Sequence, residues 1–359
     1  MNRLFSRCLL YLYVHSYHLY IAMLLSKMKL FILMAIAFVQ LNCNAQHILK
    51  SEAIKVEILD DKLLQLLDTN AQVDILAEGL GWTEGPLWVE KEKMLLFSEI
   101  PSNTVYKWTA AKGLEVYLNP SGYTAEAETS HKEPGSNGLL LDNKGNLVLC
   151  QHGDRRVARM NAALHAPKSD FINIVDRHDN LRLNSPNDAV YGANGDLYFT
   201  DPPYGLRTQN DSDPEKELKF NGVFVWKKDK ELVLLTKELS RPNGIALLPQ
   251  KNKVIVSNSD PNQAAWFVLD ANEPNQNPTL FYDATHQKAG LPGLPDGLKV
   301  SKKGIIYASA PGGVWILDEE ANLLGKIIFN SPVSNVALSS DERFMFLTNT
   351  GRIVRIPLK

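Results

Sequence analysis

Cysteine is scarce in this sequence: Cys8, Cys43 and Cys150 are the only three among 359 residues. Three cannot form a disulfide framework, so packing and hydrogen bonds must hold the fold. Neither sign of charge dominates. Lys plus Arg number 38 against 40 Asp plus Glu, a formal net charge of −2, which lacks the basic footprint that nucleic-acid binding needs. Long apolar runs are missing after the first 45 residues, which excludes a multi-span membrane protein. A hydrophobic fraction of 45% excludes a disordered chain.

The N-terminus reads separately from the rest. Lys29 precedes an apolar run, Leu30–Leu41, followed by Cys43-Asn44-Ala45 with small residues at the minus-three and minus-one positions. This layout predicts a secretory signal peptide cleaved after Ala45, and hence an exported, periplasmic or secreted protein. The run falls short of the roughly 20 apolar residues of a membrane span, so no stable insertion is expected after cleavage. Asn42 is a poor residue to precede a lipoprotein cysteine at Cys43, and Met1–Lys27 reads as an upstream extension. Cleavage leaves Cys150 alone, in an apolar run that predicts a buried core position. The division is residues 1–45 for extension and signal, 46–70 for a cap with a short helix at Leu63–Leu67, and 71–359 for one repeat domain.

That domain repeats. Thr83–Glu99, Ser136–Gln151, Pro186–Asp201, Pro242–Asn258, Pro295–Ala310 and Ser334–Asn349 share one pattern. Each starts near an Asn, Asp or Glu, usually followed by Gly, then runs apolar stretch, turn, apolar stretch, a hairpin signature. The repeats lack a 3.6-residue apolar period, which excludes helical repeats. The opening residues, Glu84, Asn137, Asn187, Asn243, Asp296 and Asn335, are separated by 53, 50, 56, 53 and 39 residues. A period near 50 with short strands predicts an all-β fold, a six-bladed β-propeller with four-stranded antiparallel blades. Thr104–Trp108, Arg156–Met160, Gly222–Trp226, Ala265–Leu269, Gly313–Leu317 and Arg352–Ile356 are the expected third strands. Val73–Ala77 is the expected outer strand of the last blade.

In a propeller the innermost strands line a central channel, so six equivalent positions converge near one mouth. Here they carry one Glu, four Asn and one Asp, without His or Cys. Taken singly, Asn-Gly and Asp-Gly are ordinary turn residues. Glu is a poor turn residue, however, and the recurrence at one phase argues for a metal site. An oxygen-only set suits Ca²⁺, whereas Zn²⁺ would be expected to recruit His or Cys.

At these residues the chain resembles the SMP-30/gluconolactonase/luciferin-regenerating-enzyme family of six-bladed propellers, its bacterial gluconolactonase branch above all. The resemblance spans residues 71–359. It rests on Glu84-Gly85-Pro86-Leu87-Trp88, Glu133–Leu139, Leu149–Arg156, Leu183–Asp188, Phe199–Gly205, Arg241–Gly244, Leu294–Gly297 and Gly312–Trp315. It implies one divalent cation in the channel, usually Ca²⁺, with Glu84, Asn187, Asn243 and Asp296 at the metal positions; Mg²⁺, Mn²⁺ and Zn²⁺ are alternatives. Asn137 and Asn335 match ring positions used less consistently. Some animal members carry an Arg where this chain has Ser185, so sugar contacts must come from elsewhere.

The implied activity is hydrolysis of a sugar lactone, such as glucono-1,5-lactone, to the open aldonate. The site chemistry agrees: a cation polarises the carbonyl and a carboxylate takes a proton from water. Asp296 is the candidate base, and Glu84 reads as a ligand. Asn137, His152, Asp201 and Tyr204 are candidate substrate contacts, although a lone His is more often structural and proline-rich strand ends are often only turns. The loop at 119–135 is either a lid, offering Tyr123 and His131, or a plain surface loop. Competing readings are a hydrolase of another lactone or of aryl or organophosphate esters, and a non-catalytic propeller that binds a sugar or a partner.

Overall fold

Short apolar runs broken by turns fold here as strands, and their burial tells where each sits. Met94–Glu99, Leu147–Gln151, Leu197–Asp201 and Ile306–Ala310 are buried along their whole length. A strand buried on both faces reads as a continuous apolar run rather than an alternating one. Outer strands such as Phe171–Val175 and Thr279–Asp283 expose residues instead.

The computed structural model describes residues 23–29, 47–248 and 251–359. The chain divides into two units, 1–47 and 48–359. In the first, residues 23–29 are helical; the export segment expected at 28–45 lies, after its first two residues, outside the described residues. No described helix is long and apolar enough to cross a membrane.

The second unit is a six-bladed β-propeller of antiparallel sheets. Its innermost strands are Thr83–Val89, Ser136–Leu141, Ala189–Tyr191, Pro242–Leu248, Leu298–Val300 and Asn335–Leu338. Apolar clusters fill the spaces between neighbouring blades. Trp266 and Trp315, from adjacent blades, lie 5.7 Å apart between ring centroids and are fully buried.

Four blades have the expected four strands, and two have five. The extra strands, Lys50–Ala53 and Val56–Ile58, come from the segment read as a cap; they add to the outer edges of the last and the fifth blade. Asp61–Gln65 then forms a 3₁₀ turn, capped by Asp60 accepting from the Lys62 amide. It sinks Leu63 into the core, against Gly325, where a Cβ would meet the Leu63 side chain at 2.5 Å.

Gln72–Ala77 closes the ring by pairing with Arg352–Pro357 of the last blade. Asp74 fastens the closure. Its carboxylate accepts from the Arg355 guanidinium at 2.7 and 3.1 Å and from the Ser51 hydroxyl at 2.7 Å. One side chain thus ties three strands. Asp74→Ala is expected to lower the unfolding free energy by about 2 kcal/mol, the scale of a hydrogen bond to a charged group. Urea denaturation measures this; an unchanged midpoint would show that the ring closes without the clasp.

Candidate active site

Glu84, Asn137, Asn187, Asn243 and Asp296 line one cavity of about 410 Å³ at a channel mouth, within the size range of small-molecule sites. Asn335 stands beside it and donates from Nδ2 to Glu84 Oε2 at 3.3 Å. All six predicted ring positions therefore converge.

The second strand of each blade explains the convergence. At or near its end it carries a small hydroxyl or thiol residue followed, in five blades, by an acid or amide: Ser98-Glu99, Cys150-Gln151, Thr200-Asp201, Ser257-Asn258, Ser309-Ala310 and Thr348-Asn349. In three blades the hydroxyl holds the ring residue of the next blade. Ser98 donates to the Asn137 carbonyl at 2.8 Å, Thr200 to that of Asn243 at 2.6 Å, and Ser257 to that of Asp296. The second residue secures the loop that enters its own blade. Glu99 accepts from the Gly81 amide, Asn258 from that of Arg241, and Asn349 donates to Pro332. Cys150 fills the hydroxyl position of the second blade, is fully buried as expected, and has its thiol pushed up by burial.

Glycines after the ring residues permit the close approach. Gly85 has φ +51° and a Cβ there would lie 2.1 Å from the Asn137 carbonyl oxygen; one on Gly244 would lie 2.3 Å from that of Asp296. The glycine of these Asn-Gly and Asp-Gly pairs serves blade packing around the channel, rather than a hairpin turn.

The electrostatics are dominated by buried carboxyls. Burial first, then Asp188 and Glu133, pushes Glu84 up to about 8, against the Gly85 amide and Asn335 that pull it down. Burial and then the Glu84 charge raise Asp296 well above the carboxylate range. Asp296 is half-buried as a residue, but its Oδ1 is shielded from solvent and, like Asn137 Oδ1, has no hydrogen-bond partner. Such partnerless buried oxygens beside two unneutralised carboxyls fit a hard cation. Among the described residues no three His, Cys, Asp or Glu side chains cluster for a metal; a site here draws on amide oxygens.

Tyr204 is in the cavity wall, where its hydroxyl hydrogen-bonds Ser259 and burial raises its pKa. Ser259 also accepts from Asn243 Nδ2 at 3.0 Å. His152 and Asp201 are both fully buried outside the wall. Neither His152 ring nitrogen has a hydrogen-bond partner, and burial drives its pKa down to about 3, so the ring is neutral. Asp201 accepts from the Asn184 and Ser185 amides at 2.7 and 2.8 Å, holding the turn that leads to Asn187. Ser185 is buried and donates to the Pro202 carbonyl at 2.6 Å.

The loop at 119–135 contributes something else than expected. Tyr123 and His131 are not in the wall; Asn103 binds the Tyr123 backbone, and His131 Nε2 meets Glu215 at 3.1 Å. Glu133 is in the wall, as are the apolar residues Trp82, Leu294, Pro332 and Val333. None of these was named as a site residue from the sequence. Glu133 falls outside the repeat, and only its place in the Glu133–Leu139 stretch drew attention to it.

Comparison with known proteins agrees with this architecture. Residues 82–351 match the SMP-30/Gluconolactonase/LRE-like region. A gluconolactonase of Zymomonas mobilis is 36% identical over 314 residues, 85% of this chain and 86% of that protein. A gluconolactonase structure from Xanthomonas campestris superposes with a TM-score of 0.72 at 25% identity, covering 88% of this chain and 97% of the other. The calcium-binding protein regucalcin from Agrobacterium tumefaciens shares the fold at TM-score 0.59 and 16% identity, covering 79% and 94%. With the propeller, its ring and the family match over three-quarters of its length, the chain belongs to the SMP-30/gluconolactonase/LRE-like family.

Proposed function

We propose that this protein hydrolyses a sugar lactone of the glucono-1,5-lactone type to its open aldonate, with a divalent cation at the channel mouth. Lactone hydrolysis is supported at the level of the family by the gluconolactonase relatives, which makes the chain a hydrolase. The observation that carries the finer reading is the oxygen-only ring, with partnerless Asn137 and Asp296 oxygens and the raised Glu84 and Asp296 carboxyls. Glu84, Asn187, Asn243 and Asp296 are the proposed ligands, and Ca²⁺ is the ion that such a set favours.

When bound, the cation supplies a Lewis acid that polarises the lactone carbonyl and stabilises charge developing on its oxygen. The residues do the rest. Asp296 lines the cavity and accepts the proton of the attacking water. Tyr204, Ser259 and Asn243 form one hydrogen-bonded string that orients substrate hydroxyls, with Asn137 beside them. His152 and Asp201 act from behind the wall, through packing and the 184–185 turn.

The apolar wall residues favour a second reading, a lactone or aryl ester with an apolar substituent against Trp82 and Leu294. A substrate panel followed by proton release, above the spontaneous rate, separates the two. Chelator treatment is expected to abolish turnover, and added Ca²⁺ to restore it better than Mg²⁺, Mn²⁺ or Zn²⁺. Full activity in metal-free protein would sink the cation.

A further inference from the structure

Glu133 reaches the cavity from a loop, not from a blade, and stands apart from the ring. We infer that Glu133 is the general acid that protonates the lactone ring oxygen as its bond to the acyl carbon breaks, an inference that rests on the lactonase reading. Its carboxyl lines the same cavity as Asp296 and is hydrogen-bonded by Gln209. His152 Nδ1 lies 3.8 Å away, beyond hydrogen-bond reach. Among the described residues no lysine or arginine forms an ion pair with it.

The surroundings raise its affinity for a proton. Burial pushes the carboxyl up to about 7, opposed by the Gln209 bond and by the Lys132 charge on its own loop. Glu84 and Asp296, both raised by burial themselves, line the same cavity, and the neighbouring His152 is neutral. An acid of this strength is suited to give up a proton near neutral pH.

The step balances with water alone. Water bonds to the acyl carbon and passes its proton to Asp296. The bond between acyl carbon and ring oxygen breaks, and Glu133 gives its proton to the departing oxygen. Solvent at the mouth returns one proton to Glu133 and takes one from Asp296, so one lactone and one water yield one hydroxy acid. A sugar alkoxide leaves poorly without that proton. A phenoxide, whose parent acid has a pKa of about 10, as in tyrosine, leaves without help.

The test is Glu133→Gln in metal-loaded protein, assayed on glucono-1,5-lactone and on dihydrocoumarin, a lactone with a phenoxide leaving group. Turnover of the sugar lactone is expected to fall ~10²-fold, the scale of lost general-acid catalysis, with dihydrocoumarin turnover little changed. The wild-type rate on the sugar lactone should fall as pH rises through about 7, where the acid form is lost, and the variant should lack that limb. Glu133→Asp, which keeps an acid with shorter reach, should regain part of the rate. Equal loss on both lactones with no recovery in Glu133→Asp, or no loss on either, would overturn the assignment. Wild-type protein inactive on both would instead overturn the lactonase reading.

Discussion

Asp296→Asn is expected to lower saturated lactone turnover by ~10²–10⁴, the range for loss of a general base, while Ca²⁺ binding stays measurable. Asn keeps a carbonyl oxygen of nearly the same reach, so a calcium site that accepts amide oxygens survives with weaker affinity. It cannot take a proton from water. The backbone around it is independent of the side chain, because the Asp296 carbonyl is held by Ser257 from the neighbouring blade. Glu84→Gln should behave differently. Glu84 is bound by Gly85 and Asn335 at its Oε2, and neutralising it weakens the cation site without removing a base. Excess Ca²⁺ should therefore recover much of the Glu84→Gln activity and little of the Asp296→Asn activity. Lactonase rate against Ca²⁺ concentration decides it. Near wild-type turnover of Asp296→Asn at saturating Ca²⁺ would make Asp296 a ligand only.

Removal of the Asp201 side chain carries the largest expected loss of stability. Its two oxygens satisfy two backbone amides in a fully buried turn. Each donor left unpaired there costs about 1–3 kcal/mol, so Asp201→Ala is expected to lose on the order of 4 kcal/mol. Asp201→Asn keeps one acceptor and should lose less. Urea unfolding of the two variants measures the order; an Asp201→Ala protein as stable as wild type would show that the turn holds without its carboxylate. Because the turn leads into Asn187, the same variant should also bind Ca²⁺ more weakly than wild type.

Most of the scaffold was legible in the chain itself. The repeat phase placed Glu84, Asn137, Asn187, Asn243, Asp296 and Asn335 around one mouth, and the structure brings them together. Strands such as Arg156–Met160, Gly222–Trp226 and Gly313–Leu317 fall at the expected residues. The closing strand expected at Val73–Ala77 pairs with the last blade. These features follow from local pattern: hydrophobic alternation and turn residues specify a hairpin within a few residues, and equal hairpins stacked in a ring bring equal positions to one axis.

Other features depended on loops from different blades meeting. Residues 50–58 were read as part of a cap, yet they pair as fifth strands because two blades leave an open outer edge within reach. Asp201 ends an inner hairpin, which marked it as a substrate contact, but only the folded turn reveals that both oxygens serve backbone amides. His152 was a candidate substrate contact, and packing against Gly205 puts its ring behind the wall. Glu133 has no repeat phase at all. The sequence by itself determined the propeller and the ring of oxygens, because both are periodic; only the tertiary structure decided which loop residue enters the cavity beside that ring, because loop contacts between blades leave no period in the chain.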